Sequence, residues 1–167
     1  MLFRSVKVAL LDPASGKGSV ASVPVAVTDP ASPEVAVSTI ALKGIQEGVT
    51  PKAADPLNAF IFGNLLLEPA SVFSPTDSLM LLAFLYGGAK DEAGKTSVAM
   101  SMEISHDGKT VGKLDEQTLS TPGNQTIGPI PLASYKPGKY DVSVKVRDNV
   151  SKKELTDRIS FEVRPPS

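Results

Sequence analysis

An internal match constrains the fold of this sequence more than any other feature. Residues 5–27, shifted forward by 136 positions, align without a gap with residues 141–163. Similarity at a fixed distance is typical of repeated structural modules. We therefore interpret residues 1–30 as the C-terminal hairpin remnant of a preceding β-sandwich module, and residues 33–167 as a complete domain of the same type. In this alignment, apolar residues meet apolar residues at Val6/Val142, Val8/Val144, Leu10/Val146, Val23/Ile159, Val25/Phe161 and Val27/Val163.

Alternation of apolar and polar residues predicts the strands. It runs through Val98–Ser105, Val142–Arg147 and Ile159–Arg164, and a period of two residues is typical of a half-buried strand. Fourteen prolines and thirteen glycines separate such runs at short intervals, which favours a sandwich over a helical bundle. The predicted fold is all-β: an immunoglobulin-like β-sandwich of about seven or eight strands, plus the hairpin remnant.

Several connections follow from local composition. Asp107-Gly108 predicts a tight hairpin turn with positive φ angles, and Lys136–Lys139 predicts a second turn. Leu79–Tyr86 is apolar at every position, which fits a central strand or a short buried helix; its turn-bounded length favours the strand. We expect a long loop over Gly44–Asn58 and an interdomain linker over residues 29–33.

Composition and charge exclude some classes of partner. Hydrophobic residues make up 41% of the chain, charged residues 21%, and the net charge is −1. Without a basic patch we expect no nucleic-acid partner. The longest apolar run, Leu79–Tyr86, is far shorter than the roughly 20 residues of a membrane helix, so no membrane insertion is expected. The absence of cysteine excludes disulfides and thiolate metal sites.

The first residues carry no signal peptide. Leu2–Ser5 is what the end of a common sequencing adapter would encode. We therefore expect the chain to be a fragment of a longer reading frame, with any export signal upstream.

No residue constellation predicts catalysis. Gly94-Lys95-Thr96 resembles the end of a phosphate loop, but Gly88 stands one place too early for the motif, and a hairpin loop over Gly87–Lys95 is the simpler interpretation. His106 is the only histidine, and its sequence neighbours would point to the opposite face of a strand. We therefore interpret His106 as an exposed turn residue.

The remaining polar groups predict no metal or cofactor site. Carboxylates and an amide could hold calcium, at Asp148, Asn149 and Asp157 or at Asp91 and Glu92, but no twelve-residue loop pattern is present and turns explain them. Asn124-Gln125-Thr126 matches a glycosylation acceptor, although a Pro-Gly-Asn turn accounts for it as well. The predicted sets of catalytic, cofactor-binding and metal-binding residues are all empty, no cofactor is expected, and neither is a small-molecule ligand.

The last two predicted strands carry a family resemblance. Pro137–Asp148 followed by Ile159–Val163 resembles the penultimate and last strands of bacterial immunoglobulin-like or fibronectin-like modules. In such modules a Pro-Gly pair sets the turn, and a tyrosine, here Tyr140, anchors the start of the strand as in a tyrosine corner.

The wider order of strands and turns is similar to the C-terminal modules of von Willebrand factor A-related and GWxTD-domain bacterial proteins. The metal-binding A-domain motif and the GWxTD motif do not occur in this chain, so no activity is carried over. The segments that carry this resemblance are Val35–Leu42, Phe73–Leu79 and Val98–Ser105 with Asp107-Gly108-Lys109.

The resemblance implies a non-catalytic structural or protein-interaction module, a spacer or adhesion-type repeat of a larger bacterial exported or envelope protein. Its expected location is extracytoplasmic, and its expected partners are proteins or neighbouring domains. The alternative is an accessory carbohydrate-binding module, which predicts a face bearing Tyr86, Tyr135 or Tyr140.

Overall fold

The structure, a computed structural model, describes residues 2–27, 33–46, 48, 50, 61–119 and 123–165. These residues form strands and turns. Within them, no helix has the length and apolarity that crossing a membrane requires. The strands are β1 (Leu2–Leu11), β2 (Gly18–Val27), β3 (Ala36–Gln46), β4 (Ile61–Phe62), β5 (Leu65–Pro69), β6 (Val72–Phe73), β7 (Ser78–Tyr86), β8 (Val98–His106), β9 (Lys109–Leu119), β10 (Asn124–Pro131), β11 (Gly138–Asp148) and β12 (Glu154–Val163).

Two five-stranded sheets share one apolar core. Sheet 1 has the order β10-β7-β3-β5-β4, sheet 2 has the order β6-β12-β11-β8-β9, and β1 and β2 form a separate two-stranded sheet. The core contains Leu81 and Leu85 from sheet 1 together with Met100 and Val144 from sheet 2. The chain is all-β, and two sheets around a common core agree with the predicted β-sandwich.

The short strands account for the difference in strand number. Residues 33–165 contain ten strands in their described part, rather than about seven or eight. The three additional strands, β4, β5 and β6, have two, five and two residues. Segments this short carry too little alternation to be recognised in a sequence.

Within β7, Leu79–Tyr86 is apolar at every position because both faces of this part of the strand are covered. Leu79, Leu81, Ala83 and Leu85 face the core between the sheets. Met80 and Leu82 belong to a second apolar cluster with Leu42 and Leu67, and Phe84 packs against it. The predicted central strand is confirmed, since β7 pairs with β10 on one side and β3 on the other.

Three predicted connections differ from the structure. Gly87–Lys95 does not close a hairpin, because β7 and β8 lie in different sheets and the loop crosses between them. Asn124 begins strand β10 instead of completing a turn, and Gly44 lies within β3. Most of the predicted loop after Gln46, and residues 29–32 of the predicted linker, lie outside the described residues.

The chain enters and leaves the sandwich at opposite ends. Lys153, in the β11–β12 turn, forms an ion pair with Glu34 at 3.0 Å just before β3 begins. We call this the turn end. At the other end of β12, Val163 pairs with Gly138 and Phe73. Tyr140 lies close to that end, which we call the tyrosine end. Ten strand residues between the two ends span roughly 30 Å.

Candidate functional site

His106 belongs to an aromatic stack. Its ring centroid lies 4.4 Å from that of Tyr140, and the planes differ by 18°. Its Nδ1–H donates a hydrogen bond to the carbonyl oxygen of Lys139 at 2.8 Å. The side chain is 20% exposed, so the expected exposure of His106 is wrong, whereas its expected place at a turn is confirmed, because β8 ends at His106 and β9 begins at Lys109. The Nε2 atom of His106 lies 3.5 Å from the carboxylate of Asp107, so the expectation that both sequence neighbours point away from His106 is wrong for Asp107, which belongs to the turn after β8.

The stack holds four neighbouring strands of sheet 2 together. Tyr140 of β11 stacks on Phe161 of β12 at 5.1 Å, and Phe73 of β6 meets Phe161 edge-on at 5.6 Å. The Tyr140 hydroxyl donates a hydrogen bond to the carbonyl oxygen of Lys136 at 2.7 Å. Cross-strand aromatic pairs of this kind stabilise a sheet. The cluster therefore has a structural role at the tyrosine end.

A cleft of about 370 Å³ opens beside this stack. Tyr135 forms part of its wall, with its ring tilted 51° against Tyr140, and burial raises the pKa of Tyr135. The charged groups around the cleft are exposed. They are Asp107, Lys109 and Lys136.

The tyrosines do not form one aromatic face. Tyr140 is buried, and Tyr135 lies beside it at the tyrosine end. Tyr86 ends β7 opposite Ala36, at the turn end. About eight residues of β11 separate the two ends, which corresponds to roughly 25 Å.

Asp91, which lies in the segment considered for phosphate and metal chemistry, holds its own turn. The Asp91 carboxylate accepts backbone N–H hydrogen bonds from Ala93 at 2.9 Å and Lys95 at 2.8 Å. Those amides would have to be free to wrap a phosphate. Within the described ranges, no group of three or more His, Asp or Glu residues is placed to hold a metal ion.

Asp148 is a buried carboxylate held by backbone amides. It is 1% exposed and accepts N–H hydrogen bonds from Ala89 at 2.7 Å, Val150 at 2.8 Å and Ser151 at 3.2 Å. Burial acts to raise the pKa of Asp148, but these hydrogen bonds outweigh it, and the pKa lies below its usual value. Ala89 belongs to the loop between β7 and β8, so this carboxylate joins two parts of the domain.

The β1–β2 hairpin has the same strand register as the β11–β12 hairpin. Leu2 pairs with Val27, and 136 residues later Gly138 pairs with Val163. The same offset holds at all ten pairs, up to Leu11 with Gly18 and Arg147 with Glu154. The alignment found in the sequence is therefore matched pair by pair in the geometry.

The two turns also share their hydrogen bonds. The Asp12 N–H donates to the Lys17 carbonyl oxygen at 2.8 Å, as Asp148 does to Lys153 at 2.9 Å. The Asp12 carboxylate accepts the Ala14 N–H at 2.9 Å, the counterpart of the bond from Val150. Identical residues at Asp12/Asp148, Ser15/Ser151 and Lys17/Lys153 underlie this agreement. The identities Ser15/Ser151 and Lys17/Lys153 lie in the turns, so a comparison of strand residues alone misses this sequence signal.

The environments of the two hairpins differ completely. Val8, Leu10 and Val23 are 55%, 71% and 59% exposed. Two of their counterparts, Val144 and Val146, are 1% exposed, and the third, Ile159, packs against the core. Among the described residues, β1 pairs with β2 alone. The hairpin thus presents an apolar face and open strand edges, and this surface is the candidate functional site of the chain.

Neither protein-family models nor curated proteins match this sequence.

Proposed function

We propose that this chain is a non-catalytic spacer and protein-interaction module of a larger bacterial exported or envelope protein. The observation that carries the proposal is the path of the chain, which enters the sandwich at the turn end and leaves it at the tyrosine end. A domain with this path transmits tension along its strands and can be joined end to end with others.

The order of the strands supports an immunoglobulin-like topology. With β3, β7 and β8 taken as strands A, B and C, β10 becomes E, and β11 and β12 become F and G. Sheet 1 then contains E-B-A and sheet 2 contains G-F-C, which is the division between sheets in that fold. The hydrogen bond from Tyr140 to Lys136 corresponds to a tyrosine corner.

The hairpin supports the interaction part of the proposal. We take residues 1–30 as the equivalent of the final hairpin of a sandwich module, because their register and turn match those of β11–β12. The carbohydrate-binding alternative has less support. It calls for a face of aromatic rings, whereas Tyr86 and Tyr135 lie at opposite ends and Tyr140 is buried.

Single-molecule pulling tests the spacer function. The chain has no cysteine, so Pro33→Cys and Pro165→Cys supply unique attachment points at the two ends. Tension then shears the β3–β7 and β11–β12 ladders along their length, and many hydrogen bonds must break together. We expect one unfolding event at high force, with an extension of roughly 400 Å.

The control uses Pro33→Cys with Ser151→Cys, which places both attachments at the turn end. This geometry loads the ladders at one end and breaks their hydrogen bonds in succession, so the unfolding force should be clearly lower. Equal forces in the two geometries, or several small steps in the first, would contradict the proposed function.

A further inference from the structure

The exposed face of β1–β2 has a buried counterpart within the same chain. Val8 and Leu10 occupy the positions of Val144 and Val146, with the same cross-strand pairing. In β11–β12 these positions are covered by the core of the sandwich. The hairpin thus has the apolar alternation and the register of a buried hairpin, but no strand in the described part of the chain covers it.

The edge of β1 matches an edge that is paired in the sandwich. On the side away from β12, β11 pairs antiparallel with β8, and Val144 lies opposite Met102 and Val146 opposite Met100. The corresponding edge of β1 has no partner in the described part of the chain. The offset of 136 residues therefore specifies both the direction and the register of a strand that fits there.

The carboxylate of Asp12 matches a second contact of the paired hairpin. The Oδ2 atom of Asp148 accepts the Ala89 N–H, which comes from the loop preceding β8. In β1–β2, the contacts of the Asp12 carboxylate with described residues lie within its own turn, with the N–H of Ala14 and the hydroxyl of Ser15. An N–H from a loop ahead of the incoming strand would complete the equivalent arrangement.

We propose that β1 binds an antiparallel strand of a β-sandwich domain that lacks its own final hairpin, and that β1–β2 completes that domain. The partner strand has apolar side chains at alternate positions, as β8 has at Met100 and Met102. The loop before that strand supplies a backbone N–H that donates a hydrogen bond to the Asp12 carboxylate. Strand addition to an open edge is an established mode of protein recognition. The inference rests on the proposed function as an interaction module and names its partner.

The sandwich of a second copy of this chain does not have the features of the proposed partner. Both edges of β8 are already paired, with β9 and β11. The hairpin could not replace β11–β12 in another copy either, because Arg4 and Val25 stand where Tyr140 and Phe161 form the aromatic stack.

A synthetic peptide with the sequence Gly87–His106 tests the proposal, because it contains β8 and the loop that carries Ala89. It is added in excess to the full chain, and amide hydrogen exchange is measured by mass spectrometry. We expect exchange in β1 to slow about tenfold, with no change in β9 and β10, which are edge strands of the sandwich. A control peptide of the same composition, with its apolar residues consecutive rather than alternating, should give no protection.

Variants of the exposed hairpin locate the binding face without disturbing the sandwich. Val8→Asp and Leu10→Asp should each abolish the protection, whereas Ala9→Asp, on the opposite face of β1, should preserve it. Asp12→Ala should raise the peptide concentration needed for half-protection about tenfold, through loss of one charge-assisted hydrogen bond.

Several results would overturn the proposal: no protection of β1, equal protection by the control peptide, or protection at another edge. If β1 of the chain alone becomes protected as its concentration rises, the occupant is a second copy and the proposed partner is wrong. The pulling experiment uses only the sandwich, so failure of peptide binding and failure of the spacer function are distinguishable.

Discussion

Asp12 and Asp148 are two residues with the same local structure and very different surroundings. Both begin the same turn and accept an equivalent backbone N–H. Asp148 also accepts the N–H of Ala89 and is 1% exposed, whereas Asp12 is exposed. Hydrogen bonds from the Ser15 hydroxyl and the Ala14 N–H lower the pKa of Asp12. Because solvent can replace those bonds, this carboxylate contributes little to stability.

The pair Asp148→Ala and Asp12→Ala tests this difference. Asp148→Ala deprives the N–H groups of Ala89, Val150 and Ser151 of their acceptor and should lower the free energy of unfolding by about 3 kcal/mol. Asp12→Ala should leave it nearly unchanged. Chemical denaturation of both variants at neutral pH measures the two effects. A comparable loss for Asp12→Ala would mean that the first hairpin is docked against other residues in solution.

At the scale of elements, equal pairing does not imply equal stability. The β1–β2 hairpin has ten cross-strand pairs, as has β11–β12. Only the latter is held on both sides, by β8 and β6. An isolated two-stranded hairpin is at best marginally stable in water, because its backbone hydrogen bonds compete with water and no apolar burial accompanies them. We therefore attribute the stability of β11–β12 to its neighbours.

Val144→Ala and Val8→Ala are equivalent substitutions in the two hairpins. Val144→Ala removes two buried methyl groups and leaves a cavity between the sheets, which should cost about 2 kcal/mol of unfolding free energy. Val8→Ala, at a position that is 55% exposed, should change it by less than about 0.5 kcal/mol. Guanidinium chloride unfolding curves of the two variants provide the comparison. Equal costs would contradict the exposed position of the hairpin.

Across the whole molecule, a few polar contacts tie the connecting loops to the strands of the two sheets. Asp148 ties the loop after β7 to the end of β11. Asp77 accepts the Ser74 N–H at 2.7 Å and forms an ion pair with Lys43 of β3 at 2.9 Å. Burial acts to raise the pKa of both carboxyls, but these partners outweigh it, and the pKa of each is lowered. Both carboxylates therefore couple global stability to pH.

Because the pKa of each carboxyl is lower in the folded chain, their stabilisation is complete above the unfolded value of about 4. It is lost as the pH falls through the lower folded values. We expect the denaturation midpoint to be steady between about pH 5 and 8 and to fall below about pH 4. The double variant Asp77→Asn/Asp148→Asn should be less stable at pH 7 but lose less on acidification. An unchanged acid dependence in this variant would show that other groups dominate.

Much of the fold could be predicted because the signals for strands and tight turns are local. The alternation in Val98–Ser105 predicted β8, and Asp107-Gly108 predicted a turn in which both residues have positive φ, at 49° and 72°. Sheet membership could not be predicted in the same way. The loop over Gly87–Lys95 joins strands of different sheets. Nothing in the composition of this loop distinguishes a connection between two sheets from a hairpin loop within one sheet.

The same difference between local signals and distant contacts applies to the candidate site. The two matching hairpins are recognisable from the amino acids alone, because register and turn geometry depend on residues that are adjacent along the chain or directly paired. The three-dimensional packing was needed to place His106 in an aromatic stack, to show that Asp148 is buried, and to show that Val8 is exposed while Val144 is not. Burial depends on contacts with strands distant in the sequence. Two segments with the same pattern can therefore become, in one molecule, a core hairpin and an exposed hairpin.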